Sequence, residues 1–162
     1  MKTTFFILLG LLALILIGGR AGLFSGTQPN DLGITDGRLK PPSATRNSVS
    51  SQAALYPEHP QVSSAQIAPL PFINGDANRS WQTLLAMLAS QSAITIIRQD
   101  AAYLHAEART PWLGFVDDLE FWMNLPAGVI EVRSASRLGR EDFGVNRERV
   151  ERLRAAYLLG SQ

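Results

Sequence analysis

The sequence predicts an α+β fold: an antiparallel four-stranded sheet with two helices packed on one face, preceded by an extended Pro/Ser-rich arm and an N-terminal apolar helix. Three observations predict it. A dense apolar run opens the chain. Four strand-like runs follow one another at short spacing in the second half. Two stretches of helical periodicity bracket those runs. The natural divisions are 1–24 (signal anchor or signal peptide), 25–75 (tether and extended arm) and 76–162 (the α+β domain).

The first element is the run Thr3 to Gly19, which carries no charge and lies between Lys2 and Arg20. As a helix it reaches roughly 25 Å, a little short of a hydrocarbon core. Two readings compete. One is a signal peptide cut after Ala21, flanked by the small residues Gly19 and Ala21. The other is an uncleaved anchor, favoured because Arg20 spoils the cleavage context and Ala21 to Phe24 prolong the apolar stretch. The first places the domain in the periplasm. The second makes it a single-pass protein of the cell membrane, with the domain on the extracytoplasmic side. The membrane is then its first expected partner.

From Ser25 to Gly75 the composition shifts, and seven of the nine prolines fall here. Proline removes backbone donors and biases its predecessor toward extended geometry, so regular helix is not expected. Ser25 to Thr35 reads as tether. The later part, with Val49, Leu55, Tyr56, Ile67, Leu70, Phe72 and Ile73, is apolar enough to lie extended against the domain.

Regular structure begins near Asn78. Trp81, Leu84, Leu85 and Leu88 follow the spacing of an amphipathic helix that Asn78 or Ser80 can cap. The strand-like runs are Ile94 to Arg98, Ala102 to Arg109, Phe115 to Asn124 and Val129 to Arg137. Their short breaks predict antiparallel neighbours. The last helix spans about Asn146 to Leu158, with Asn146 as cap and Val150, Leu153 and Tyr157 as its apolar stripe.

Alternation then sorts the polar residues. The turn Leu125-Pro126-Ala127-Gly128 sets Phe121 opposite Val132, Glu120 opposite Arg133 and Asp117 opposite Ser136. His105, Glu107, Asp118, Glu120 and Arg133 share the outer face. That face is expected to be solvated and laced with weak cross-strand ion pairs, because one side of such a sheet faces water. The competing reading, a metal or acid–base site, has a single histidine in the strands and no HExxH spacing behind it. Asp117 falls on the helix-covered face and needs partners there. Ser134, Ser136 and Arg137 are near in register, and Arg147 follows in the helix. Arginines of the last helix alternate with Glu148 and Glu151, which reads as ordinary surface support.

Function classes narrow by composition. The net charge is +1, with 46% hydrophobic and 18% charged residues, so neither a disordered chain nor a nucleic-acid binder is expected. Without cysteine there is no disulfide, thiolate metal site or thiol nucleophile. No cofactor and no metal is expected.

Several strings taken together have a family likeness. They are Asn47 to Gln52, Ile67 to Phe72, Tyr103 to Glu107, Gly114 to Phe121, Val132 to Gly139 and Asp142 to Glu151. The chain from roughly Asp31 to Tyr157 resembles the bacterial family called domain of unknown function 1499. The resemblance implies the fold and brings no activity with it. Members commonly carry two cysteines where this chain has Pro42 and Ser48, so the resemblance implies an arm held here by packing alone. It also says where a binding site belongs: Asp117, Asp118, Arg133, Ser134, Ser136, Arg137, Asn146 and Arg147, with His105 and Glu107 as second choice. The main expectation is an envelope domain that binds an unknown protein or small-molecule partner without catalysis. The alternatives are a hydrolase or lyase using Asp117, Ser134, Ser136 and Arg137, and a lipid-binding module using the Arg-rich last helix. The enzyme reading lacks a base beside a serine.

Overall fold

Four strands in unbroken succession make the centre of the molecule: β5 (Ile94–Gln99), β6 (Tyr103–Arg109), β7 (Val116–Asn124) and β8 (Val129–Ser136). This computed structural model describes residues 1–160. All neighbours are antiparallel, as the short breaks predict. The β7–β8 turn sets the expected register: Phe121 opposes Val132, Glu120 opposes Arg133 and Asp117 opposes Ser136. Gly128 closes that turn at φ +67°, a conformation that suits glycine.

The sheet has six strands, not four. The arm supplies β3 (Ser48–Ser50) and β4 (Leu70–Pro71), and both pair antiparallel with β8. The strand order is therefore β3-β8-β7-β6-β5, with β4 beside β3 on the same edge. The physical reason is the free edge of β8, a row of unpaired backbone groups that must be covered. Proline density holds helix in the arm to single turns and leaves room for two- and three-residue ladder segments. A separate hairpin, β1 (Ile34–Thr35) with β2 (Arg38–Leu39), precedes them. A 3-10 turn (Ala53–Leu55) and the short α2 (Val62–Ala65) fill the arm between the edge strands.

Helices α3 (Ala77–Ala89) and α4 (Val145–Leu159) cover the inner face. With α1 (Lys2–Arg20) and α2 the α-helices number four among the described residues; the N-terminal helix and the two on the sheet are the expected ones, and α2 is the addition. Trp81, Leu84 and Leu88 of α3 and Val150, Leu153 and Tyr157 of α4 are buried against Leu104, Leu119, Phe121, Ile130 and Val132. Both caps lie upstream of the predicted ones. Asp76, not Asn78 or Ser80, caps α3 by accepting from the Arg79 N–H at 2.9 Å. At α4 the Asp142 carboxylate accepts from the Gly144 and Asn146 N–H groups, which leaves the Asn146 side chain free to turn inward.

Residues 25–35, expected as a tether, are fastened to the sheet at two points. The Arg109 guanidinium donates to the Ser25 hydroxyl at 3.0 Å, and the Gly33 N–H donates to the Glu120 carboxylate at 2.9 Å.

Candidate functional site

Seven of the eight residues singled out by sequence divide between the two faces of the sheet. Asp117, Ser134, Ser136 and Asn146 gather at one end of the inner face, under the first turn of α4. Asp117 is buried, and the Arg149 guanidinium donates to it. Arg149 also donates to the Asn146 side-chain oxygen Oδ1 at 2.9 Å, and the Ser134 hydroxyl donates to the same oxygen. The Asn146 amide donates to the Ser136 hydroxyl at 2.9 Å and to the Asn47 carbonyl at 3.1 Å. One side chain thus stitches β8, α4 and the entry to β3 together. The expected pairing of Asp117 with Arg137 or Arg147 is not what forms: its partner is Arg149, which the sequence reading missed. The signal was present, since Asn146, Arg149, Val150, Leu153 and Tyr157 fall on one helical face and all five are buried.

Arg147 points elsewhere. It donates to the Ser64 and Gln66 carbonyls at 3.0 and 2.8 Å, and Arg154 donates to Pro69 and Ala68. These arginines of α4 clamp the arm by its backbone oxygens. Arg152 pairs with Glu148 on the exposed surface, as expected.

Asp118, Arg133 and Arg137 lie on the outer face with His105, Glu107, Glu120 and Tyr103. The expectation of a solvated face is wrong here. His105, Asp118, Glu120 and Arg133 are each no more than 3% exposed. Residues 33–41 close over part of this face, and their backbone joins its network. Glu120 accepts from Tyr103 at 2.8 Å, from the Gly33 N–H at 2.9 Å and from Arg133 at 3.1 Å. Arg133 donates onward to the Pro41 carbonyl at 3.2 Å. The predicted Glu120–Arg133 pair is thus real, but buried. Alongside it, Asp118 takes two hydrogen bonds from Arg137, at 2.7 and 2.9 Å, and lies 2.8 Å from the His105 imidazole. Arg137 reaches Glu107 as well. Arg137 is therefore held on the face opposite Asp117, and the Asp117/Ser134/Ser136/Arg137 cluster does not assemble.

Electrostatics follow from this packing. Burial alone pushes the Asp118 carboxyl up, but hydrogen bonds from His105 and Arg137, with the charge on Arg137, outweigh it and hold the group below the usual carboxylate range. Burial, reinforced by the Glu120 charge, pushes the Tyr103 phenol well above its ordinary value. Among the described residues no three His, Cys, Asp or Glu side chains converge to hold a metal ion.

An open space lies beside the outer network. A cavity of about 540 Å3 is lined by Asp31, Gly33, Arg38, Lys40, Pro41 and Tyr56, with other residues of the hairpin. Lys40 pairs with Asp31 on its wall at 2.5 Å, and the Arg38 guanidinium sits 5.9 Å from the Tyr56 ring centre. Sequence marked Tyr56 as an apolar residue of the arm and placed none of these residues in a site.

Comparison with known families matches residues 38–157 to the one described as "Protein of unknown function (DUF1499)". The chain belongs to that family. No curated protein and no solved structure matches it. The DUF1499 match runs from β2 into the last turns of α4, so it takes in all eight residues singled out by sequence. Helix α1 and strand β1 precede it. The cavity is shared: Arg38, Lys40, Pro41 and Tyr56 lie inside the DUF1499 match, and Asp31 and Gly33 lie outside it.

Proposed function

We propose that this chain is a membrane-anchored domain, displayed on the extracytoplasmic side, that binds a small polar ligand without catalysis. The observation that carries the membrane part is α1. An 18-residue window of this 19-residue helix has a mean hydropathy of 2.1, and Phe5, Leu8, Leu12, Leu14 and Ile17 are all exposed. At ~1.5 Å per residue the helix is about 28 Å long, and a helix apolar all round calls for lipid. Lys2 opens it and Arg20 closes it, so a cation stands at each end for the headgroup layers.

The binding part rests on the cavity between the β1–β2 hairpin and Tyr56. Its volume suits a small molecule, and its walls offer carboxylates, an ammonium, a guanidinium and an aromatic face. Non-catalytic binding is favoured because the clustered ionisable groups are engaged with one another. Asp117, Asp118, Glu120, Arg133, Arg137 and Arg149 each spend their hydrogen bonds on fixed neighbours.

The test is made on protein purified in detergent from its native membrane. Amino-terminal sequencing is expected to read into Thr3; a start at Gly22 refutes the anchor. Native mass spectrometry is expected to find a small polar molecule retained by the wild type and lost from Arg38→Ala. Retention of nothing by the wild type defeats the ligand reading.

A further inference from the structure

We propose that the β6–β7 turn, Thr110 to Gly114, is a second membrane contact that seats the domain directly on the bilayer, with Trp112 at headgroup depth beside the last turns of α1. This rests on the reading of α1 as an anchor and adds to it: the domain does not hang from a tether but docks in one orientation.

Backbone contact fixes the end of α1 to that turn. A Cβ on Gly19 would lie 2.5 Å from the Leu113 carbonyl oxygen, and one on Gly114 would lie 2.3 Å from the Gly19 oxygen. Only glycine permits such an approach on both sides. Gly19 is accordingly the buried residue of α1. Two side-chain contacts repeat the attachment just beyond. Phe24 stacks on Phe115 with ring centres 5.3 Å apart, and Arg109 donates to Ser25. The turn is itself braced, because Thr110 and Phe115 exchange backbone and hydroxyl hydrogen bonds of 2.9 Å.

Trp112 stands at the tip of this turn, 68% exposed. Its ring faces Ala13, Leu16, Ile17 and Arg20 across a groove of about 340 Å3. Ala13 to Arg20 is roughly 10 Å of helix rise. Whatever surrounds those last turns of α1 must therefore also reach Trp112. For an anchor helix that surrounding is lipid, so the occupant of the groove is continuous with the one that covers the rest of α1. Tryptophan is suited to that depth, having a broad apolar body and one N–H donor. Arg20, at the outer end of the groove, can extend toward lipid phosphate while its stem stays apolar. Leu23 is 71% exposed at the same end, and Gly26 packs on Arg137 and Leu138.

The test uses the full chain reconstituted in phosphatidylethanolamine/phosphatidylglycerol vesicles with bromines placed near the ester carbonyls of the acyl chains. Carbonate washing first scores anchoring. Trp81 is buried and Trp122 half-buried, so the difference between wild type and Trp112→Phe isolates Trp112. The expected result is carbonate-resistant protein whose emission is quenched, with the quenched component lost in Trp112→Phe. Carbonate-resistant protein in which both forms respond alike overturns the seating while leaving the anchor intact. That would be the outcome if a second copy or another protein's helix filled the groove. Protein released by carbonate defeats both readings.

Discussion

Strand β7 alternates between two burials that could hardly differ more in chemistry. Leu119 and Phe121 face α3 and α4, regular elements that bring apolar stripes. Asp118 and Glu120 face the other way, and Glu120 lies under an irregular stretch of arm. Both sets are equally shut off from water. The difference lies in what each cover needs. A helix has satisfied its own backbone, so it can rest on hydrocarbon. A loop has not, and its N–H and C=O groups need partners wherever it is buried. A charged sheet face supplies them: Glu120 takes the Gly33 N–H and Arg133 gives to the Pro41 carbonyl. An apolar outer face would leave that loop's donors and acceptors orphaned.

The sharpest way to break this comparison is to truncate one residue from each face. Leu119→Ala opens a cavity under the helices and is expected to cost about 2–5 kcal/mol. Glu120→Ala is expected to cost as much, about 3–5 kcal/mol, because it strands Arg133, Tyr103 and the Gly33 N–H. Urea unfolding measures both. Hydrogen exchange separates them, since only Glu120→Ala should release the amide of Gly33. A Glu120→Ala loss below about 1 kcal/mol would place that residue among ordinary surface pairs and remove the buried outer face.

Much of this was legible in the sequence, and the reason for the remainder is physical. Period-two alternation and a four-residue turn fixed which residues of β7 and β8 share a face and which stand opposite, Asp117 with Ser136 included. Alternation is a local property of the strand. Whether the polar face is wet depends on a segment some eighty-seven positions away in the case of Gly33 and Glu120, and no local period carries that information. The proline-rich composition of the arm argued against regular helix, to which the four residues of α2 are an exception. It could not reveal that Val49 and Leu70 would add to the edge of β8, because a two- or three-residue strand is too short to show a period. Asp117 shows the limit from the other direction. Its face and need for a partner were evident, but the nearest cations in sequence order drew attention from Arg149, one helical turn past Asn146. The family match leaves this unchanged, since it is to a family described only as of unknown function.

A smaller effect probes the same outer face through acid. The Asp118 carboxyl titrates lower in the folded chain than in the unfolded one. Its stabilisation is therefore fully present above the unfolded value, about 3.9, and is lost as pH falls through the folded value. Asp118→Asn removes that linkage. Urea midpoints for the two proteins should differ at neutral pH and converge below about pH 4. A gap that stays constant down the acid limb would show that His105 and Arg137 do not hold the carboxylate through its charge.

The smallest effect belongs to the pair with one of the shortest contacts. Arg152 lies 2.5 Å from Glu148 on α4, closer than the 3.1 Å between Arg133 and Glu120. Distance alone would rank the helix pair first. Exposure reverses the order. The Arg152 and Glu148 side chains are 62% and 69% exposed, so water screens their attraction and both must lose rotamer freedom to meet. Neither leaves a stranded group behind when the other is removed, because solvent takes the vacancy. Arg133 and Glu120 have no such substitute, with 4% and 0% of their side chains exposed. Arg152→Ala is accordingly expected to shift stability by no more than about 0.5 kcal/mol, and the loss should shrink further at high salt. A loss comparable to that of Glu120→Ala, persisting at high salt, would mean that Arg152 has a partner beyond Glu148 and that this face of α4 is covered in the native protein.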